Sequence, residues 1–184
     1  ISQVRSRIHK TWKPRKEKGV VRWEPTIELI NMEKKDWLVL ARTNYLLEEI
    51  DDHCRHQGWF FEIKGRPSIS EAKVRAVLNW EKLHNNLSIP IAECVNLFKF
   101  IKVRNPKSLD ILDFDVTMTY TDLKKFFPEL PEGYWYDVFD LLSVKEISYI
   151  RAMLRRGERI TKQPRIRLST IHAAKGGEAT NVVL

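Results

Sequence analysis

The segment Trp37-Leu38-Val39-Leu40-Ala41-Arg42 is apolar at five successive positions and bounded by charge, with Lys34, Lys35 and Asp36 before it and Arg42 closing it. A strand with one face in water alternates apolar and polar residues, so an unbroken run of this length is a strand covered on both faces, as in a parallel sheet. A helical pattern follows at once. Leu47, Ile50 and Cys54 fall on one face, Glu48, Asp51 and Arg55 lie away from it, and Gly58 ends the helix. WFFEI, residues 59–63, is the next strand. Strand, helix, strand is the rhythm of an α/β sheet.

Beyond Gly65 and Pro67 the character changes. Ser68 and Glu71 form a capping-box pattern that opens a helix to about His84, with Ala72, Ala76, Trp80 and Leu83 on one face. A second helix follows Pro90, carrying Val95, Phe98 and Ile101. Residues 103–135 are irregular, aromatic-rich and broken by Pro106, Pro128 and Pro131. Ser143 and Glu146 form another capping box, opening a helix to about Arg156 that Gly157 closes. Strand signals return at RIRLST, residues 165–170, and NVVL, residues 181–184. The expected architecture is α/β: a partial parallel sheet from residues 1–66 and 164–184, with a mainly α-helical insertion over 67–163. Ahead of the first sheet strand, Val20, Val21 and Trp23 suggest a short strand and Thr26 to Met32 a helix.

With 32 Lys and Arg against 24 Asp and Glu, the formal charge is +8, which favours a polyanionic partner. Eight of those cations lie in residues 1–22. The two cysteines, Cys54 and Cys94, sit within helical patterns, so a disulfide framework is not expected and a reducing, cytoplasmic setting is. No apolar run is long enough to span a bilayer, so no membrane partner is expected. The chain begins within a helical pattern (Ile1, Val4, Ile8) and stops within an apolar run, which suggests a piece of a longer protein.

The chemistry concentrates in STIHAAKGGEATNVVL, residues 169–184: a strand, a polar turn with Lys175, Gly176, Gly177 and Glu178, then a strand. Glycines after a strand let backbone N–H groups approach a phosphate, Lys and His add positive charge, and a carboxylate can bond ribose hydroxyls. A Lys-Gly-Gly loop alone is only a turn. His53, Cys54 and His56 point in different directions on a helix, so no metal site is expected. Tyr134, Trp135, Tyr136 and Phe139 read as core before they read as a base-stacking platform, and Arg151, Arg155, Arg156 and Arg159 as a solvated helix end.

The pattern T-x-H-x-x-K-G-x-E before an apolar strand resembles motif V of the UvrD-like superfamily 1 DNA helicases, the UvrD, PcrA and Rep group. Thr170, His172, Lys175, Gly176 and Glu178 match it. Upstream, WLVLARTNYLLEEIDDHCRHQGWFFEIKG, residues 37–65, resembles motif IV, in which a buried strand ends in Arg followed by Ser or Thr and Asn, the places of Arg42, Thr43 and Asn44. The resemblance implies the second RecA-like motor domain (2A-type) carrying a 2B-type insertion. It implies that Arg42 reaches the γ-phosphate of ATP held on the first RecA-like domain of the same polypeptide, as the catalytic residue. Glu178 and Gly176 would complete the ATP contacts, and Thr170, His172 and Lys175 would meet single-stranded DNA or a duplex/single-strand junction. ATP and Mg2+ are the implied cofactors, bound mainly by that first domain. No G-x-x-x-x-G-K-[ST] sequence, paired acids after a strand or Arg-rich motif VI occurs in the chain, so ATP hydrolysis by this piece alone is not expected. Ala41 stands where the family often has an adenine-stacking Tyr, and Gly177 and Ala179 where larger residues are usual. Such relaxed motifs resemble phage and prophage members, implying a bacterial or phage-infected cell. The competing reading is a non-catalytic nucleic-acid or protein interaction module that kept a RecA-like fold.

Overall fold

A computed structural model describes residues 18–103, 109, 116–158, 160, 163–175 and 177–184. The chain divides into two units, Ile1–Ile30 and Asn31–Leu184. In the first, residues 18–24 form no strand. Val20, Val21 and Trp23 are 79%, 97% and 82% exposed; a strand needs a neighbouring strand for its backbone groups, and among the described residues this segment pairs with none. The helix expected over Thr26 to Met32 shortens to a single 3-10 turn, Ile27–Leu29.

The second unit is built on a five-stranded sheet. In chain order its strands are β1 (Trp37–Ala41), β2 (Phe61–Ile63), β3 (Arg66–Pro67), β6 (Ile166–Thr170) and β7 (Asn181–Val183), and in space they run β3-β2-β6-β1-β7. The pairs β2/β6, β6/β1 and β1/β7 are parallel, and β3 adds an antiparallel edge. Strands separated by more than a hundred residues are therefore neighbours: Val39 pairs with Leu168 and Trp37 with both Ile166 and Asn181. The α/β reading holds as a mixed, mostly parallel sheet with several helices.

Helix α1 (Asn44–Gln57) follows β1, buries Leu47 and Cys54, and ends as its pattern predicts, with Gly58 left-handed at φ 68°. Helix α6 (Val144–Arg156) packs beside it. Its capping box is formed as expected, the Ser143 Oγ accepting from the Glu146 N–H while the Glu146 carboxylate accepts from the Ser143 N–H, and Gly157 is its left-handed stop. Phe61 of β2 meets Tyr149 of α6 with ring centroids 6.1 Å apart, and the Arg55 guanidinium of α1 lies over both rings at 5.5 and 5.0 Å. The face of the sheet that carries Phe61, Val39, Ile166 and Leu168 is thus sealed by two helices. Burying a large side chain such as Phe61 contributes about 1.5–3 kcal/mol.

A second cluster of side chains forms around helix α2 (Glu71–His84), with β4 (Ile89–Pro90), α3 (Ile91–Leu97), β5 (Thr117–Met118), α4 (Tyr120–Phe126) and α5 (Trp135–Val138) completing the elements. Trp80 is its centre: 1% exposed, edge-on to Tyr120 and Phe139, its Nε1 donating to the Gly133 carbonyl at 3.0 Å. Two buried asparagines are satisfied across the α2/α3 contact, Asn79 by Glu93 at 2.7 Å and Asn96 by the Ala72 carbonyl at 2.9 Å. Residues 103–135 contain a capping box that the sequence reading passed over, Thr119 with Asp122 at the head of α4.

The Ser68–Glu71 capping box does not form. Ser70 is the N-cap of α2 and makes no side-chain cap, while the Ser68 hydroxyl pairs with the Tyr149 hydroxyl at 2.6 Å. Tyr149 donates in turn to the Trp59 carbonyl at 2.7 Å, and burial pushes its phenol well above the ordinary range. Lys73 of α2 is also paired with Glu146 of α6. Helix α6 therefore touches both the sheet layer and α2.

Candidate functional site at the carboxyl rim of the sheet

Parallel strands all end at the same side, and in open α/β sheets the crevice beyond those carboxyl ends is where ligands bind. Here β1 and β6 end level: Ala41 pairs with Thr170, and the Ile171 N–H donates to the Ala41 carbonyl at 3.0 Å. Arg42 leaves β1 at the point where Ile171 and His172 leave β6. The structure thus brings the two sequence motifs, more than a hundred residues apart, to one rim.

Arg42 is exposed and, among the described residues, has no hydrogen-bond or ion-pair partner. Thr43 is the N-cap of α1 but its hydroxyl makes no cap bond, and the first turn of α1 holds no acid. The positive end of the α1 dipole, with N–H groups that no Thr43 side chain caps, therefore begins directly after Arg42 in the chain. A phosphate is the ligand chemistry this pair fits.

The turn after β6 is held from within. The Thr170 Oγ1 accepts from the Ala173 N–H at 3.3 Å, and the Thr170 carbonyl from the Ala174 N–H at 3.0 Å. His172 and Lys175 are exposed on this turn. Gly176 lies outside the described residues. The chain then crosses β1 to reach β7 on its far side. A Cβ on Gly177 would lie 3.0 Å from the Ala174 carbonyl oxygen and 3.5 Å from the Leu38 side chain, a tight fit in which the turn would have to give by a few tenths of an ångström. Glu178 follows, exposed, its carbonyl accepting from Arg167, a mid-strand residue of β6 that pairs with Leu38. Thr170, His172 and Lys175 thus share the rim with Arg42, while Glu178 lies within the crossing, at Arg167 and away from the strand ends.

Asp36, which the sequence reading did not single out, anchors the other end of that crossing. Its carboxylate accepts from the Thr180 N–H at 2.8 Å and from the Thr180 hydroxyl, and its carbonyl from the Asn181 N–H at 3.2 Å. The hydroxyl bond and then the N–H bond hold its pKa below the ordinary 3.8. Only the charge next to a strand signalled it.

The other candidates resolve into packing. Cys54 and Cys94 are free, buried thiols, and among the described residues no three His, Cys, Asp or Glu side chains gather to hold a metal ion. Trp135 and Phe139 are core, whereas Tyr134 and Tyr136 stack at 5.3 Å with the Arg151 guanidinium 4.8 Å over Tyr136. Arg156 is exposed and also engaged: it donates to the Gln57 carbonyl at 2.6 Å and lies over Trp59. Arg159 lies outside the described residues. No helix of the described residues is long and apolar enough to cross a membrane. Comparison of the chain with protein-family models, curated proteins and solved structures finds no match.

Proposed function

We propose that this chain is the second RecA-like part of an ATP-driven DNA helicase or translocase, forming one jaw of an ATP cleft and half of a single-stranded DNA groove. The observation that carries the reading is the level ending of β1 and β6, which sets Arg42 beside the Thr170–Lys175 turn. An unpartnered guanidinium next to an acid-free helix N-terminus suits a γ-phosphate presented by a neighbouring domain. In this reading ATP and Mg2+ are held mainly by the first RecA-like domain of the same polypeptide.

Bound there, ATP supplies the phosphoryl group whose transfer releases energy. Arg42 would stabilise the charge that builds on that group as it leaves, an interaction stronger in the transition state than in the ground state. Thr170, His172 and Lys175 would hold phosphates of the strand on the same rim, so that domain closure over nucleotide and grip on DNA are mechanically joined. Gly176 and Glu178 are the remaining nucleotide contacts of this reading.

The test is steady-state ATPase of the intact protein with saturating single-stranded DNA. Arg42→Ala should cut turnover by about 10³ to 10⁵ and leave the thermal melt unchanged, because the side chain is exposed and unpartnered. Near wild-type turnover in this variant overturns the reading.

A further inference from the structure

We propose that the β2–β3 hairpin carries the basic rim past β6, so that Lys64 and Arg66 extend the phosphate track for single-stranded DNA beyond the Thr170–Lys175 turn. The inference rests on the reading of the rim as nucleic-acid-facing and adds two residues to which the motif resemblance gives no role. It begins with register. Ile63 pairs with Leu168, two residues before Thr170, so the Lys64–Gly65 tip emerges at the same rim as the β6 turn. Adjacent strands lie about 4.8 Å apart, which places the hairpin tip, the β6 turn and the end of β1 within roughly 10 Å across the sheet.

The second observation is backbone strain. Lys64 has φ 54° and Gly65 φ 74°, the left-handed pair that a two-residue type I′ hairpin turn demands. Asn, Asp or Gly are the residues that enter the first of these positions readily. A lysine held there is a local cost to the fold, and residues in such conformations gather at ligand sites.

The third is the state of the charges. Arg55 is bound to Asp51 at 2.9 Å and covered by two rings, so it belongs to the packing. Lys64 and Arg66 are exposed, with no ion-pair partner among the described residues. They line an open cleft with Ile63, Pro67, Ser68 and the Asp51-paired Arg55. Along the rim, beyond Arg42, the exposed Lys175, Lys64 and Arg66 thus form a row of cations, and a flexible chain of phosphodiesters is the polyanion that can follow such a row.

The experiment is fluorescence anisotropy of the 184-residue chain with a labelled oligothymidylate across a salt series, beside a thermal melt. Lys64→Asn removes the charge while installing the residue that this turn prefers, so folding is kept or improved. The expected result is an unchanged or higher Tm, weaker binding, and a slope of log K against log salt that is shallower by about 0.7. Arg66→Gln, on the edge strand, should shift the slope similarly. If Lys175→Ala weakens binding while both hairpin variants keep wild-type affinity and slope, the hairpin inference is overturned and the reading of the rim stands. If the folded chain binds no oligonucleotide at low salt, or binds it without salt dependence, both fall.

Discussion

Ala41 and Thr170 are register partners on adjacent parallel strands, and the first residue past that pair, Ile171, donates its N–H back to Ala41 at 3.0 Å. The bond locks the exit of β6 to the exit of β1. Arg42 and the polar turn therefore share one rigid base, and a change in the angle of β1 moves both. At its other end β1 is tied by Asp36 to Thr180, just ahead of β7, and to Asn181, its first residue. The polar crossing between β6 and β7 is thus anchored at both ends to the strand that carries Arg42.

That second anchor should respond to acid. The Asp36 carboxylate has a folded pKa below its ordinary 3.8, so its stabilising effect is fully present above that value and is lost as pH falls through the lowered folded value. Protonation removes an acceptor from the Thr180 hydroxyl and N–H. Hydrogen exchange at Val182 and Val183 should accelerate relative to Val39 when Asp36 is replaced by Ala at neutral pH. Equal exchange in wild type and variant would show that β7 is held by its ladder alone.

Two glycines with nearly the same backbone offer an internal comparison. Gly58 and Gly157 have φ 68° and 71°, and each ends a helix. A Cβ at Gly58 would fall 2.5 Å from the Ala152 carbonyl carbon of α6, whereas nothing lies within 4 Å of one at Gly157. Gly157→Ala should therefore cost only the left-handed penalty, about 1–2 kcal/mol. Gly58→Ala should add an overpacking cost of about 1–3 kcal/mol, because two backbones must separate. Urea unfolding of both variants measures the difference, and equal losses would refute the close approach of α1 and α6.

What the sequence made legible follows from the range of the interactions involved. β1, α1 and Gly58 were readable because hydrophobic period, helix stop and strand length are all local properties. The Ser143 capping box was readable for the same reason. The Ser68 box failed because its hydroxyl is claimed by Tyr149, 81 residues away, a competitor that no local pattern announces. Val20, Val21 and Trp23 have strand-forming side chains, yet strand propensity acts only where a sheet edge is present to pair with. In the site, Arg42 and Thr170 could be named from motif resemblance, but their alignment is a product of β1/β6 pairing. Asp36 and Thr180 are 144 residues apart and left no trace in either segment.

The two thiols give the last prediction. Cys54 and Cys94 are each 0% exposed, and burial pushes both from an ordinary pKa of 9.0 up to about 12. The nucleophile in alkylation is the thiolate, so these residues lack both the reactive form and access to reagent. Iodoacetamide at neutral pH should leave the native chain unmodified and label two sites per chain in denaturant. A pH dependence follows from the same shift. Between about pH 9 and 12 the unfolded chain has released thiol protons that the native chain keeps, so stability falls as pH rises through that window. Each thiol can contribute a slope of up to about 1.4 kcal/mol per pH unit. Tyr149, whose phenol is also raised, adds to the total, so the informative quantity is a difference between proteins. Cys94→Ala should be less stable than wild type at pH 7 because it leaves a small cavity, and its stability should decline less steeply above pH 9. Urea midpoints for both proteins across that range provide the measurement. Parallel decline in the two would mean that the Cys94 thiol ionises as readily folded as unfolded, and rapid alkylation of the native chain would show that α1 and α3 open far more often than their packing implies.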